Sequence, residues 1–104
     1  MSLTYYIYKI TDKQDANEYY IGSTVNINTR KAHHKKNVTN KVSRTYWCKI
    51  YQYIRAKGGW ENFEFEVLET GQYVDKKEIK QKEQEYITRF NPTLNSVRAC
   101  KKTI

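Results

Sequence analysis

The stretch TYYIYKITDKQDANEYYIG, from Thr4 to Gly22, decides how this chain of 104 residues begins to fold. Tyrosine and isoleucine suit a pleated, half-buried surface, so residues 4–10 and 18–22 are each predicted to form a strand. The residues between them, 12–17, are polar and turn-prone. The pattern therefore predicts a hairpin whose strands are joined by a loop of moderate length.

Downstream of the hairpin, the periodicity predicts three helices and one further strand. Pro92 marks the exit into an extended tail. The fold class is α/β (α+β), a small three-stranded antiparallel sheet flanked by helices. The predicted elements are a helix from Asn26 or Asn28 to about Lys36, a helix from about Arg44 to Lys57, a strand from Phe63 to Glu69, and a helix that ends near Arg89.

Two of these elements carry clear apolar patterns. In the third strand Phe63, Phe65 and Val67 alternate with glutamates, which predicts a sheet with one face open to solvent. Trp47 and Trp60 are predicted to be core and core-edge packing residues, with base stacking by Trp60 as the alternative. The apolar stripe of the second helix consists of Tyr46, Trp47, Ile50, Tyr51 and Ile54.

The charge of the chain is concentrated in one block. The formal net charge is +8, and no Asp or Glu lies between Val25 and Trp60. Surfaces normally mix both signs, so this block predicts a polyanionic partner, and we expect it to bind a nucleic-acid backbone. An acidic protein or membrane surface is the alternative, which charge alone does not exclude. The residues expected to contact nucleic acid are Lys31, Lys35, Lys36, Lys41, Arg44 and Lys49.

Cys48 and Cys100 are isolated from one another in the sequence. They lack the Cys-x-x-Cys spacing of a zinc site, so both are expected to be reduced thiols, with Cys48 a small packing residue. No secretory signal and no apolar run of membrane-spanning length is present. These features predict a cytoplasmic or nuclear protein that is not secreted. Its length predicts a single domain over residues 1–104, with an ordered core of about residues 4–97.

Four polar side chains are predicted to meet at one place. Two-residue periodicity puts Tyr20 and Gly22 on a common face of their strand, and the hydroxyls of Tyr8 and Tyr20 converge if Tyr8 faces the same way. Arg30 and His34 lie one helical turn apart and share a face. Two hydroxyls near a guanidinium and an imidazole suggest a site for a charged group. Taken singly, each tyrosine is better explained as an ordinary strand aromatic.

Glu83 is the sharpest anomaly of the third helix. It lies four residues from both Ile79 and Ile87, on the apolar stripe, whereas Glu85 is turned away. A carboxylate in such a position is costly unless it is paired or binds a cation. The two explanations are a structural ion pair with an arginine or lysine of a neighbouring helix and a metal ligand; the surrounding residues favour the metal ligand.

Together these residues resemble the GIY-YIG nuclease family, which includes phage and intron homing endonucleases. The resemblance spans almost the whole chain. Tyr6-Ile7-Tyr8 takes the place of the first family motif and Tyr20-Ile21-Gly22-Ser23 that of the second. Tyr6 replaces the glycine of the first motif, a position without a catalytic contact in the family scheme. The residues that match the family's functional positions are Tyr8, Tyr20, Arg30, His34, Glu83 and Asn95.

The resemblance implies metal-dependent hydrolysis of DNA phosphodiester bonds. Glu83 would hold one divalent cation, Mg²⁺ or Mn²⁺, which suits a carboxylate, phosphate and waters. Arg30 would clamp a phosphate oxygen through its planar donor fork. His34 would relay a proton, and Asn95 would orient the site by hydrogen bonding.

A tyrosine hydroxyl would take the proton of the attacking water, with Tyr8 favoured and Tyr20 in support. A free tyrosine has a pKa of about 10, so it needs positive charge nearby to act as a base at neutral pH. The alternative is a non-catalytic nucleic-acid-binding module that retains the fold; intact Glu83 and Arg30 argue against it. DNA is the expected partner and a membrane is not. The chain shows no separate DNA-targeting domain, which leaves three alternatives: a fragment that lacks its targeting domain, a free-standing enzyme with loose or structure-based preference, and a subunit that requires a partner.

Overall fold

The computed structural model describes residues 3–95 and shows a three-stranded antiparallel sheet with helices, which confirms the predicted fold class. No helix among these residues has the length and apolar character needed to cross a membrane. The strands are β1 (Leu3–Asp12), β2 (Asp15–Thr24) and β3 (Phe63–Tyr73), in the spatial order β2-β1-β3. The helices are α1 (Ile27–Thr39), α2 (Lys49–Ala56) and α3 (Lys76–Phe90), with a 3-10 turn at Trp60–Asn62.

The β1–β2 hairpin turns at Lys13 and Gln14, without the predicted loop of moderate length. The buried Asp12 carboxylate accepts hydrogen bonds from the Gln14 backbone N–H at 2.9 Å and from the Tyr53 hydroxyl at 2.8 Å. An aspartate that bonds to the backbone two residues on closes a tight turn. Both strands are therefore longer than predicted, and Asp12 ties the hairpin to α2.

Helix α2 begins at Lys49, later than the predicted start near Arg44. The Ser43 hydroxyl accepts a hydrogen bond from the Thr45 backbone N–H at 3.3 Å, and the Thr45 carbonyl accepts one from the Cys48 N–H at 2.9 Å. Short polar side chains that satisfy the backbone locally compete with helix formation. The segment before Lys49 consequently forms a series of turns.

Helices cover both faces of the sheet. On one face, α1 and α2 pack over the sheet in a core built around Tyr8, Ile10, Val38, Cys48, Ile50, Tyr51, Ile54, Phe63 and Leu94. On the opposite face, α3 packs over a second core built around Tyr5, Ile7, Ile21, Tyr73 and Ile79.

The predicted open face along β3 exists only at the start of that strand, where Glu64 and Glu66 are exposed. A register shift between Ile7 and Tyr8 changes the pairing of β1 with β3. Beyond this bulge Glu69 turns under α3, where its carboxylate accepts hydrogen bonds from the hydroxyls of Tyr5 and Tyr86. The extra residue of a bulge reverses which side chains face each side, so the prediction is wrong for the rest of β3.

Trp47 lies on the surface and is 48% exposed, so its predicted place in the core is wrong. Tyr46 is buried instead, because the Arg55 guanidinium stacks on its ring with the central carbon 3.6 Å from the ring centre. The same guanidinium donates to the carbonyls of Val38 and Tyr46 at 2.9 and 2.7 Å. Trp60 is partly buried against the core, as predicted.

Cys48 is buried in the core, as predicted for a packing residue. It is disulfide-bonded, so the prediction of a reduced thiol is wrong for this residue. Cys100 lies outside the described residues.

The segment that follows α3 covers the outer edge of β2. Helix α3 ends at Asn91, whose φ of 48° is the left-handed conformation that asparagine tolerates at a helix end. Pro92 follows, in keeping with the predicted exit from the helix. The Leu94 N–H then donates to the Tyr19 carbonyl at 3.0 Å. Edge strands left bare invite unwanted pairing, and this segment prevents it along β2.

The Tyr8 ring lies directly above Gly22, its partner in the β1–β2 pair. A Cβ atom on Gly22 would lie 2.5 Å from the Tyr8 hydroxyl oxygen and 2.6 Å from ring Cζ. We expect Gly22→Ala to lower the free energy of unfolding by about 1–3 kcal/mol, the usual cost of overpacking, in urea denaturation. The decrease in the free energy of unfolding should be smaller in a Tyr8→Leu background, which lacks the ring. Equal decreases in the two backgrounds would show that the Tyr8 ring is not what a Cβ at position 22 meets.

Candidate active site

Two tyrosine rings from neighbouring strands lie together on the face of the sheet that α1 covers. Tyr8 pairs with Gly22 and Tyr20 pairs with Ile10, so both tyrosines project to the same side, as predicted. Their ring centres are 6.3 Å apart. Tyr8 is only 1% exposed and stacks on Phe65 at 4.8 Å, whereas Tyr20 is half-buried. The convergence predicted from strand periodicity is therefore present.

His34 is the centre of this group. It is 2% exposed, and its Nε2 lies 2.6 Å from the Tyr8 hydroxyl oxygen. The edge of the Tyr20 ring faces the imidazole at 5.6 Å between centres, and Trp60 stacks parallel to it at 6.3 Å. Both tyrosines and the imidazole thus form one aromatic cluster between the sheet and α1.

Behind His34 lie two residues that the sequence did not mark as functional. The Tyr51 hydroxyl lies 2.7 Å from His34 Nδ1. The Asn37 side-chain amide donates to that same hydroxyl at 3.4 Å, and its carbonyl oxygen accepts from the Ser43 hydroxyl at 2.9 Å. Tyr51 was assigned to an apolar stripe. The signal that could have found it is a hydroxyl on a buried face, which needs a partner just as the Glu83 carboxylate does.

Burial governs the protonation of these groups. It lowers the pKa of His34 to about 3, and the positive charges of Arg30 and His33 act in the same direction. It raises the pKa of Tyr20 to about 12 and raises the pKa of Tyr8 as well, with Arg30 opposing both changes. The site therefore holds a neutral imidazole and two neutral phenols near pH 7. A catalytic tyrosine here requires further positive charge before it ionises.

Arg30 is exposed on α1, one turn before the buried His34. Its charge acts on the pKa values of Tyr8, Tyr20 and His34, and the helix that carries it packs over the face of the sheet that holds the tyrosines. An exposed arginine beside buried phenols is available to an anion from solvent.

Glu83 approaches the cluster from the other side of the sheet. Its carboxylate accepts a hydrogen bond from the Ser23 hydroxyl at 2.5 Å. Ser23 pairs with Ile7, so its side chain points toward α3 and away from the face that carries the tyrosines. Even so, the negative charge of Glu83 contributes to the raised pKa values of Tyr8 and Tyr20. Glu83 therefore acts on the tyrosines across the thin edge strand β2.

The surroundings of Glu83 differ from those of its neighbour Glu85. Glu83 is half-buried and Glu85 is exposed, as the helical spacing predicted. Within residues 3–95 the one ion pair joins Lys82 to Glu85, so no cationic side chain there is paired with Glu83. The alternative of a structural ion pair for Glu83 thus finds no partner in the described part of the chain.

Asn95 holds the backbone beside Tyr20. Its Oδ1 accepts from the Ile21 N–H at 2.9 Å, and its Nδ2 donates to the Ile21 carbonyl at 2.8 Å. Both ends of the amide are therefore used on one residue of the edge strand. Asn95 does not contact the tyrosine hydroxyls; it positions the strand that carries Tyr20 and Ser23.

The predicted nucleic-acid-binding side chains all lie on the surface. They are carried by α1, the turns after it and the first residue of α2. None of them forms an ion pair within residues 3–95, and the segment between Val25 and Trp60 contains no acidic residue. The exposed residues are Lys31, Lys35, Lys36, Lys41, Arg44 and Lys49.

Comparison with known proteins gives a consistent pattern. The model of the GIY-YIG catalytic domain matches residues 4–96. No curated protein sequence matches the chain. Among solved structures, a mutant of the catalytic domain of the intron endonuclease I-TevI is 22% identical, with a TM-score of 0.73 over 98% of this chain and 99% of that one. Another structure of the catalytic domain of the homing endonuclease I-TevI is 21% identical, with a TM-score of 0.66 over 92% and 95%. At these identities the likeness concerns the fold.

His34 should make stability depend on pH above the range in which carboxylates titrate. The pKa of this histidine is about 3 in the folded protein against 6.5 for an ordinary histidine, so the unfolded chain binds more protons between these values. We expect the free energy of unfolding, measured with urea, to fall as the pH drops from about 6.5 to about 4.5. His34→Gln should remove this dependence, and His33→Gln, at an exposed position, should not. A flat wild-type profile would count against a buried neutral imidazole.

Proposed function

The chain belongs to the GIY-YIG family, and from that premise we propose that it is a metal-dependent endonuclease that hydrolyses DNA phosphodiester bonds. The observation that carries the proposal is the cluster of Tyr8, Tyr20 and His34, on which the charges of Arg30 and Glu83 both act. Cleavage of a phosphodiester requires a base, a positive group for the phosphate and a ligand for a cation. The three requirements are met by a tyrosine, the arginine and the glutamate.

The residues fit one hard divalent cation at Glu83. Its carboxylate is half-buried and hydrogen-bonded by the Ser23 hydroxyl, without a cationic partner in residues 3–95. That same part of the chain has no group of three or more His, Cys, Asp or Glu side chains that could enclose a metal. This donor set suits Mg²⁺ or Mn²⁺, because Mg²⁺ keeps several waters and binds through one or two carboxylates and phosphate oxygens. When bound, the ion would supply positive charge to the scissile phosphate and its leaving oxygen.

In the proposed reaction, the oxygen of a water molecule bonds to phosphorus while the bond from phosphorus to the 3′ oxygen breaks. An ionised tyrosine takes one proton from the water, and the 3′ oxygen takes a proton from solvent. The products are a 5′ phosphate and a 3′ hydroxyl. Tyr20 is half-buried and Tyr8 is nearly enclosed, so burial favours Tyr20 for the contact with water, whereas the sequence favoured Tyr8.

The exposed lysines and arginines of α1 and the following turns would face the DNA backbone. The segment between Val25 and Trp60, which carries these side chains, contains no acidic residue, so it presents positive charge of one sign to phosphate. Arg30 lies within the same basic segment as this surface and beside the tyrosines, so it would direct one phosphate toward the buried cluster. One such site contacts one phosphodiester bond at a time and would nick one strand per encounter.

The decisive comparison is between Glu83→Gln and Glu85→Gln in a plasmid nicking assay with Mg²⁺ or Mn²⁺. Both remove one carboxylate from α3, but only Glu83 lies at the proposed site. At matched DNA occupancy, Glu83→Gln should reduce the nicking rate by about 100-fold or more, the scale for losing a group that stabilises transition-state charge. Glu85→Gln should cleave like the wild type, and EDTA should stop both. Salt-sensitive DNA binding without cleavage by any of the proteins would instead favour the non-catalytic binding module.

The pH dependence of nicking should identify the base as a tyrosine. Because burial raises the pKa of Tyr20 to about 12, its ionised fraction grows tenfold per pH unit through the neutral range. We expect the single-turnover nicking rate to rise close to tenfold per unit between about pH 6 and 8. Tyr20→Phe should abolish the rise together with the activity. A rate that levels off near the ordinary pKa of histidine would point to an imidazole base.

A further inference from the structure

The proposed function leaves one buried arrangement unused, the pair Asn37 and Tyr51 behind His34. Tyr51 is buried in the first turn of α2, and its hydroxyl contacts the imidazole nitrogen that faces away from the catalytic tyrosines. Asn37 lies on α1 one turn beyond His34 and contacts the same hydroxyl. A neutral imidazole has one N–H donor and one acceptor nitrogen, so the partner of Nδ1 decides what Nε2 can do.

These side chains form a series of hydrogen bonds that begins at Ser43, and the direction of each bond follows from that outer end. The Ser43 hydroxyl accepts from the Thr45 N–H at 3.3 Å and donates its one proton to Asn37 Oδ1 at 2.9 Å, so the Thr45 hydroxyl, 3.1 Å away, acts as a donor to Ser43. This leaves the Asn37 NH₂ group facing the Tyr51 hydroxyl at 3.4 Å as a donor. The Tyr51 proton cannot point at another donor, so it points at the remaining neighbour, His34 Nδ1, at 2.7 Å.

The direction of the innermost hydrogen bond of this series, between His34 and Tyr8, is then determined as well. With Nδ1 acting as acceptor, the imidazole proton lies on Nε2, which donates to the Tyr8 hydroxyl at 2.6 Å. The Tyr8 proton is then free to turn toward Tyr20, whose ring centre lies 6.3 Å from that of Tyr8. Each group thus donates to the next, in the order Ser43, Asn37, Tyr51, His34 and Tyr8.

We propose that Asn37 and Tyr51 are positioning residues that hold His34 as its Nε2–H tautomer, so that the imidazole donates to Tyr8 and does not receive its proton. This inference deepens the proposed function and rests on it for its catalytic meaning. It replaces the proton relay that the family resemblance suggested for His34 with a fixed donor. A donor aimed at a phenol stabilises negative charge on the phenolate, and successive donors polarise one another.

The tautomer can be observed without any cleavage. Long-range nitrogen–proton NMR spectra of ¹⁵N-labelled protein at about pH 8 distinguish a protonated from an unprotonated ring nitrogen, and exposed His33 gives an internal reference. We expect His34 to show a protonated Nε2 and an unprotonated Nδ1. A protonated Nδ1 in the wild-type protein would overturn the proposal even if the protein is an active nuclease. The expected spectrum would stand even if no nicking is ever found.

Asn37→Asp tests whether the amide sets the tautomer. A carboxylate still accepts from Ser43 but must also accept from Tyr51, which reverses the Tyr51 proton and moves the imidazole proton to Nδ1. We expect the spectrum of this variant to show a protonated Nδ1 and an unprotonated Nε2 in His34. The nicking rate should fall at least tenfold, with DNA binding retained. Asn28→Asp adds the same charge to an exposed position of α1 and should leave the tautomer unchanged. An unchanged tautomer in folded Asn37→Asp would refute the assignment.

Ser43→Ala provides a second route should Asn37→Asp fail to fold. It removes the donor that orients the Asn37 amide, so the amide can rotate and present its oxygen to Tyr51. The expected result is a mixture of both His34 tautomers. A single Nε2–H form in this variant would show that Asn37 does not control the imidazole.

Discussion

The hydrogen bond between Tyr8 and His34 joins the central strand of the sheet to α1 at the point where the site is built. Tyr8 is at once a core residue and a site residue: its ring fills the space above Gly22 and stacks on Phe65, while its hydroxyl meets the imidazole. Removing the glycine or the histidine would therefore disturb packing and chemistry together. The low exposure of both partners also explains why their protonation departs so far from that of free side chains.

The site is assembled across an edge strand, not on one surface. Tyr20 and Ser23 lie on opposite faces of β2, and through them the strand connects the aromatic cluster to the Glu83 carboxylate. An edge strand is held on one side only by its sheet neighbour, so its position needs support from the other. The Asn95 amide supplies it by bonding both backbone groups of Ile21. A residue distant in sequence thus maintains the separation between Tyr20 and the Glu83 carboxylate.

The parts of the site that sequence could predict are those governed by simple periodicity. Strand alternation placed Tyr8 and Tyr20 on one face, and helical spacing separated Glu83 from Glu85. The register shift between β1 and β3 was not predicted because a bulge has no residue pattern of its own. The role of Tyr51 was not predicted for a different reason: a tyrosine in an apolar stripe has the same spacing whether or not its hydroxyl forms a hydrogen bond within the site. Only the observed partner of each polar atom distinguishes the two cases.

The two outer edges of the sheet are protected by different means. Residues 93–95 cover β2, while the outer edge of β3 has no strand partner in the part of the chain described and exposes Glu64 and Glu66. An uncovered edge is a template for a second sheet, and side-chain charge is what repels another copy here. Salt screens that repulsion as it screens attraction to phosphate. Under the proposed function, the salt concentrations that release the protein from DNA are therefore also those at which its molecules most readily join edge to edge.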